Sequence, residues 1–408
     1  VRSIVRVVIL TQYYPPETGA PQNRLHSLAS NLLLLGADVE VITAMPNYPK
    51  YEIFEGYKGK WFMRETIDDV NITRSYIFTT KKFGILPRLI NYFSFTITAF
   101  FVGVFKVKKA DILICESPPL FLGITAVFLK WIWRCKLVFN VSDLWPESAE
   151  KLDIIKNKFL LKLSYGLANW IYRNSSFISG QTQGIVKAIE AMQPSKKVYW
   201  LPNGFDFKKL GKFLDYTPEI TNDYMVMYAG IIGHAQGLET IIYAAEQLKD
   251  YTNIKFYIIG DGPVKAELIE ISQQKQLTNI FFLPNQSPAE VAIWLQKCNS
   301  YIVPLRKLDL FLGAIPSKLF EPLASGKPIL LGVDGEAREL FIEQGKAGLY
   351  FEPENYIELS KSILQLYNNQ ALSNELGNSG KSFVLKNFTR SKIAENYFLQ
   401  LQNILKKA

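Results

Sequence analysis

The sequence predicts an α/β protein of two doubly wound, Rossmann-like domains that face a central cleft. Three observations carry this expectation. The chain has 408 residues, beyond the size at which a single hydrophobic core keeps growing. Strand-like and helix-like segments alternate along it, and several strand candidates are apolar on both faces, as parallel strands covered by helices on both sides are. Finally, two such series are separated by a polar stretch without clear period, residues 207–223. The domain bounds follow as 1–204 and 205–388, with a terminal helix over 389–408 free to cross back to the first domain. Ligands are expected at the carboxyl ends of the strands.

The first series opens on Ile4-Val-Arg-Val-Val-Ile-Leu10, a buried strand with one charge inside it rather than a leader peptide. Further strand candidates lie at residues 39–43, 112–115, 137–141, 177–180 and 198–201, and helical periodicity at 24–35, 120–133, 159–173 and 184–192. The second series places strands at 225–229, 255–259, 280–283, 300–303, 328–331 and 348–351. A helix over 238–248 follows the first of these. Ser287-Pro-Ala-Glu290 opens another with a capping box and a proline in its first turn.

An apolar share of 48% excludes a disordered chain. Net charge +9 suits phosphorylated small molecules or anionic lipid. The basic residues form no long run, so nucleic acid is not an expected partner. The three cysteines, Cys115, Cys135 and Cys298, are scattered and fit a reducing, cytoplasmic setting. With only His26 and His234, no metal site is expected. The segment from Leu89 to Phe105 is uncharged and aromatic, and it is flanked by Arg88 and by Lys106, Lys108 and Lys109. It is short for a spanning helix of about twenty residues. Two readings remain open: a peripheral helix lying in a membrane interface, with its basic flanks on the headgroups, or a helix buried against the sheet.

Most of the chemistry is concentrated in the second half. Met225-Val-Met-Tyr-Ala-Gly-Ile-Ile-Gly-His-Ala-Gln-Gly237 is a strand running into a glycine-spaced turn and a helix. Such a turn aims backbone N–H groups at an anion, and the helix dipole adds to the attraction. Gly230, Gly233, Gln236 and, after the next strand, Gly262 of Gly260-Asp-Gly-Pro263 are therefore donor-binding candidates. Ile315-Pro-Ser-Lys-Leu-Phe-Glu321, closed by Gly326-Lys-Pro328, adds Ser317, Lys318 and Glu321 at the same sheet edge, and Pro304-Leu-Arg306 adds Arg306. Lys318 and Arg306 would neutralise a diphosphate, and Glu321 would accept hydroxyl hydrogen bonds from a ribose. The plain alternative is a surface pair between Lys318 and Glu321 at helical spacing. No Gly-Lys-Ser/Thr follows the glycine turn, and no G-x-G-x-x-G follows the first strand, which argues against nucleoside triphosphatases and dinucleotide enzymes.

In the first half, Thr11-Gln-Tyr-Tyr-Pro-Pro-Glu-Thr-Gly-Ala-Pro-Gln-Asn-Arg24 is a long loop after the first strand. Gly19 would let backbone approach a substrate, and Arg24 would pair with a phosphate or carboxylate. Ser142-Asp-Leu-Trp-Pro-Glu147 places Asp143, and second to it Glu147, at a strand's carboxyl end, where a carboxylate orients a sugar hydroxyl or stabilises developing positive charge. An N-cap is the structural alternative for Asp143. Tyr14, Arg24 and Trp145 complete the acceptor-side candidates.

These motifs, with Leu201-Pro-Asn-Gly-Phe-Asp206, resemble those of the family 4 retaining glycosyltransferases of GT-B fold, in the right order over nearly the whole chain. The resemblance is strongest to bacterial surface-polysaccharide and O-antigen enzymes such as the fucosamine-type transferases. It implies retaining transfer of a sugar, such as an N-acetylated amino or deoxyamino sugar, from a UDP-linked donor to a lipid-linked diphosphate sugar or glycan. It further implies no metal, no cofactor beyond the donor, donor binding mainly in the second domain, and a hinge at residues 201–206. Glu321 matches the family's ribose-binding carboxylate, and Asp143 falls where many members have a histidine near the donor sugar. Two departures stand out. Gly313 occupies the place of the first of the usual paired glutamates, and Ile232 to Gln236 replaces the usual Arg and Lys of the glycine turn, leaving neutralisation to Lys318 and Arg306. A UDP-sugar 2-epimerase and a non-catalytic sugar-nucleotide binding protein share the architecture.

Overall fold

The computed structural model describes residues 4–81, 85–151, 157–206 and 223–406. Most of the expected linker, 207–222, lies outside them. The chain divides into two compact units, Val1–Pro202 with Arg390–Ala408, and Asn203–Thr389. The division falls inside the motif at 201–206, and the terminal segment belongs to the first unit.

The first unit is built on an eight-stranded sheet of order β3-β4-β2-β1-β5-β6-β7-β8. Its strands are β1 (Arg6–Leu10), β2 (Asp38–Ala44), β3 (Phe62–Ile67), β4 (Val70–Ser75), β5 (Ile112–Ser117), β6 (Lys136–Val141), β7 (Phe177–Gly180) and β8 (Val198–Trp200). Alternation along β1 decides the layers. Val8 and Leu10 face a core with Leu113, Cys115 and the helices α2 (Ile85–Lys106), α3 (Leu122–Trp133), α5 (Lys158–Asn174) and α6 (Gln183–Met192). Val7 and Ile9 face another with Val39, Ile112 and helix α1 (Ala20–Leu34). On that face the terminal helix, which we label α13 (Arg390–Lys406), contributes Tyr397 and Leu401. A five-residue helix, α4 (Glu147–Lys151), follows β6. The charge within β1 is satisfied in the sheet, because Arg6 pairs with Asp38 and Glu40 of β2.

The hairpin β3–β4 is antiparallel while its neighbour β2 runs parallel to β4. The sequence reading missed both strands. Their turn, Asp68-Asp69, has positive φ at both residues (47° and 64°), the two-residue hairpin geometry that Asp tolerates. The segment from Leu89 to Phe105 lies inside α2, which has one face buried against the sheet and one face left exposed. Phe95, Ala99 and Val102 are buried in the core, whereas Ile97, Phe101 and Phe105 are exposed.

The second unit is a six-stranded parallel sheet of order β11-β10-β9-β12-β13-β14. The strands are β9 (Tyr224–Ala229), β10 (Ile254–Ile259), β11 (Ile280–Leu283), β12 (Ser300–Pro304), β13 (Ile329–Gly332) and β14 (Gly348–Tyr350). They are covered by α7 (Glu239–Gln247), α8 (Lys265–Gln274), α9 (Pro288–Lys297), the short α10 (Phe320–Ala324), α11 (Tyr356–Asn368) and α12 (Gln370–Asn387). The capping box at Ser287 and Glu290 forms as its spacing requires. Phe205 anchors the start of this unit: its N–H bonds the Phe388 carbonyl at 3.0 Å, and its ring stacks on Phe320.

In both sheets the strand order reverses beside the first strand of the unit, between β1 and β5 and between β9 and β12. Loops leaving these strands at their carboxyl ends diverge to opposite faces and leave room for a ligand.

Candidate functional site

In the second unit, β9 ends at Ala229 and Gly230 turns with φ 142°. Lys318 reaches this turn from the tight helical turn Ser317–Leu319 before α10. A Cβ at position 230 would sit 2.8 Å from Lys318 Nζ, so glycine makes room for the ammonium group. Lys318 Nζ donates to Tyr228 Oη at 2.7 Å and lies 4.3 Å from the ring centre. The tyrosine hydroxyl in turn donates to the Ile231 carbonyl at 2.6 Å. Among the described residues Lys318 has no carboxylate partner, so the expected alternative, an ion pair with Glu321, is not formed. Burial without compensation draws its pKa down to about 8. A cation held in this way is poised to gain from an incoming anion.

Arg306 corrects the sequence reading. Its guanidinium bonds Glu239 at 2.8 Å and Glu354 at 3.0 Å, while Nε bonds the His234 carbonyl at 2.6 Å. Its charge is thus committed to bracing the glycine turn and is not free for a diphosphate. The expected cradle of N–H groups is also largely spent internally. Gly230 N–H bonds the Ile259 carbonyl, Ile232 N–H bonds that of Asp261, and Gly233 N–H bonds Gln236 Oε1. Gln236 therefore holds the turn with its side-chain oxygen. Gly262 has a packing reason of its own, since a Cβ there would lie 2.2 Å from the Ile232 carbonyl oxygen, and the two glycine turns press backbone against backbone. Ser317 and Glu321 are exposed on the turn and on α10, the side from which Lys318 approaches.

In the first unit, polar groups inside apolar strands build a buried network around Arg24. Arg24 Nη2 donates to Glu116 at 2.5 Å and to Ser142 at 2.7 Å. Glu116 also accepts from Asn140 at 2.6 Å and from the Ser142 hydroxyl, and Ser179 donates to Asn140 at 2.7 Å. Arg24 is thus partly engaged: its side chain is only 11% exposed, Nη2 is paired within the protein, and the buried Nη1 has no hydrogen-bond partner among the described residues. The network was missed in the sequence, although Glu116, Asn140 and Ser179 each interrupt an apolar strand near its carboxyl end. Tyr14 is a second correction. It is fully buried, with its hydroxyl 3.0 Å from His26 Nδ1, because the loop folds into the core. At Gly19 the backbone is extended (φ 167°), which any residue adopts, so no left-handed turn demands glycine there.

Asp143 is half-buried and accepts from the Ser148 hydroxyl at 2.6 Å. It braces the start of α4 through a side chain rather than as an N-cap. Trp145 packs partly against the core, and Glu147 begins α4. Asp143, Trp145 and Glu147 gather after β6, and Gly230, Gln236, Arg306 and Lys318 gather after β9 and β12. No group of three or more His, Cys, Asp or Glu side chains able to hold a metal occurs among the described residues.

Residues 215–383 match the family model described as glycosyl transferases group 1. The chain is 26% identical over 335 residues to the glycosyl transferase WcaI of Escherichia coli K12, whose name assigns it to colanic acid biosynthesis; the match covers 79% of this chain and 82% of that protein. It is 24% identical over 250 residues to the O-antigen chain mannosyltransferase C of Escherichia coli, covering 60% of this chain and 65% of that one. Among solved structures, Anabaena HepE in complex with UDP superposes with a TM-score of 0.67 over 98% of this chain and 100% of that chain, at 14% identity. The chain therefore has the GT-B fold, and the residues that match the glycosyl transferases group 1 model fall within its second unit.

Proposed function

We propose that the protein is a retaining, metal-independent glycosyltransferase of bacterial surface-polysaccharide synthesis. It moves an N-acetylated amino or deoxyamino sugar of the fucosamine type from a UDP-linked donor to a lipid-linked diphosphate sugar or glycan. The donor diphosphate docks on Lys318 at the Gly230 turn, with Ser317 and Glu321 beside it and Glu321 holding the ribose. Asp143 orients a hydroxyl of the transferred sugar or stabilises charge developing at its anomeric carbon, and Glu147 and Trp145 line the same strand end. The carrying observation is the half-buried Lys318 ammonium, which lacks a carboxylate partner among the described residues where the strand order reverses. The names of the relatives support the polysaccharide setting. The exposed apolar face of α2 supports a peripheral position on the cytoplasmic side of a membrane.

The test is a thermal-shift screen over UDP-, GDP- and ADP-sugars, followed by release of UDP. A UDP-sugar should raise the melting temperature by mass action, and UDP should appear only when an acceptor lipid is added. Conversion of the nucleotide sugar without acceptor would instead establish an epimerase. Binding without turnover on any acceptor would establish a sugar-nucleotide binding protein.

A further inference from the structure

Six residues of α2, namely Leu86, Ile90, Phe93, Ile97, Phe101 and Phe105, recur at helical spacing and are all apolar. They are each between 39% and 72% exposed. By length and composition this helix could cross a membrane, and only 28% of its most apolar stretch is buried. Its opposite face, however, is locked into the core, with Phe95 and Ala99 fully buried and Gly103 packed against Leu129 of α3. It is therefore suited to lie on a lipid surface. The neighbouring helices extend the patch: Phe128 and Trp131 of α3, and Phe159, Leu160 and Leu163 of α5, are exposed as well. Ring contacts join the three helices, Phe100 to Phe128 and Phe128 to Trp170. Exposed Arg88, Lys106, Lys108, Lys109, Lys158 and Lys162 edge this surface, which is the charge pattern an anionic lipid face attracts.

At the amino-terminal end of the stripe, the same helix turns Arg88 and Tyr92 into a cavity of about 550 Å³ shared with Tyr13, Lys50, Tyr51 and Lys81. Lys50 and Arg88 have no ion-pair partner among the described residues, and Lys81 pairs only with exposed Glu52, a contact worth little in water. Burial and the neighbouring phenols push the Tyr13 hydroxyl pKa up, which keeps it a neutral donor. The cavity thus has cations and phenols within and an apolar ridge leading away from it.

Building on the transferase reading, we propose that this cavity binds the diphosphate head of a lipid-linked acceptor, whose apolar chain beds along the exposed stripe of α2. Lys50, Lys81 and Arg88 neutralise the diphosphate, and Tyr13, Tyr51 and Tyr92 contact the sugar or the first chain atoms.

Flotation of the full chain with phosphatidylcholine vesicles, without any sugar nucleotide, tests this directly. The vesicles are used plain, carrying a long-chain isoprenoid diphosphate, or carrying phosphatidylglycerol at matched charge. The diphosphate vesicles should bind most tightly. The double variant K50A/R88A should lose at least about tenfold of that binding through the lost charge-assisted contacts. It should keep its melting temperature and its UDP-sugar thermal shift. The I97S/F101S variant should lose binding to every vesicle, and inorganic diphosphate should compete poorly for want of an apolar chain. Unchanged binding by K50A/R88A, equal binding to phosphatidylglycerol vesicles, or displacement of the lipid by inorganic diphosphate at equal concentration would each overturn the proposal. Lipid binding by a protein that fails to respond to any sugar nucleotide would leave this site standing and overturn the transferase reading instead.

Discussion

Two cations sit near the carboxyl ends of the two sheets, and they are treated in opposite ways. Arg24 in the first unit meets Glu116 and Ser142, and its charge is paired in a network that continues to Asn140 and Ser179. Among the described residues Lys318 in the second unit bonds only a neutral phenol, and burial draws it down to about pKa 8. A compensated buried charge is scaffold: its removal strands its partner. An uncompensated one raises the energy of the free protein and recovers that energy when an anion arrives. The second unit also contains its own control, because Arg306 lies by the same turn and is fully engaged by Glu239 and Glu354.

The comparison is broken most severely at Arg24. Replacement by Met should leave Glu116 buried without its cation and cost about 3–5 kcal/mol of unfolding free energy in urea titration. A loss below about 1 kcal/mol would show that the network is not compensated as described. Lys318→Met should behave in the reverse sense. UDP-sugar affinity by calorimetry should fall by about 2 kcal/mol, near thirtyfold, for loss of a charge-assisted contact. The melting temperature should hold or rise, because a desolvated ammonium is gone. A large drop in stability with intact affinity would make Lys318 scaffold too.

A smaller effect separates the two cations by pH. In the folded protein Lys318 releases its proton near pH 8, whereas in the unfolded chain it does so near its ordinary 10.5. Between those values the unfolded chain binds more protons, so the contribution of this group to stability rises with pH. Donor affinity moves the other way. It should be fully present below about pH 8 and then decline by up to about tenfold per pH unit, and binding at pH 8.5 should take up a proton. An affinity flat from pH 7 to 9.5 would remove Lys318 from the site. The smallest effect belongs to Arg306→Gln, whose partly exposed ion pairs are worth about 1 kcal/mol or less. Its affinity loss should stay well below that of Lys318→Met; parity between them would return Arg306 to the diphosphate.

Much of the architecture was legible because it depends on short-range pattern. Doubly apolar strands at 112–115 and 137–141, the glycine turn after Ala229 and the capping box at Ser287 each express a local rule, and each formed. The hairpin β3–β4 escaped because Phe62 to Ile67 alternates weakly and its turn uses Asp68-Asp69 in place of the usual Asn-Gly signal. The errors at the site are of another kind. Arg24, Arg306 and Tyr14 were of the right chemical type in the right loops, yet their partners Glu116, Glu239 and Glu354, and His26 commit them elsewhere.

Periodicity, glycine spacing and the order of its motifs were enough to specify two largely parallel sheets, since those features depend on neighbours a few residues apart. Which cation remains unpaired, which aromatic is sealed inside and which face of α2 is left bare depended on contacts between residues as distant as Arg24 and Glu116 or Lys318 and Tyr228. Electrostatic compensation and burial are properties of proximity in space, and a linear chain does not record them.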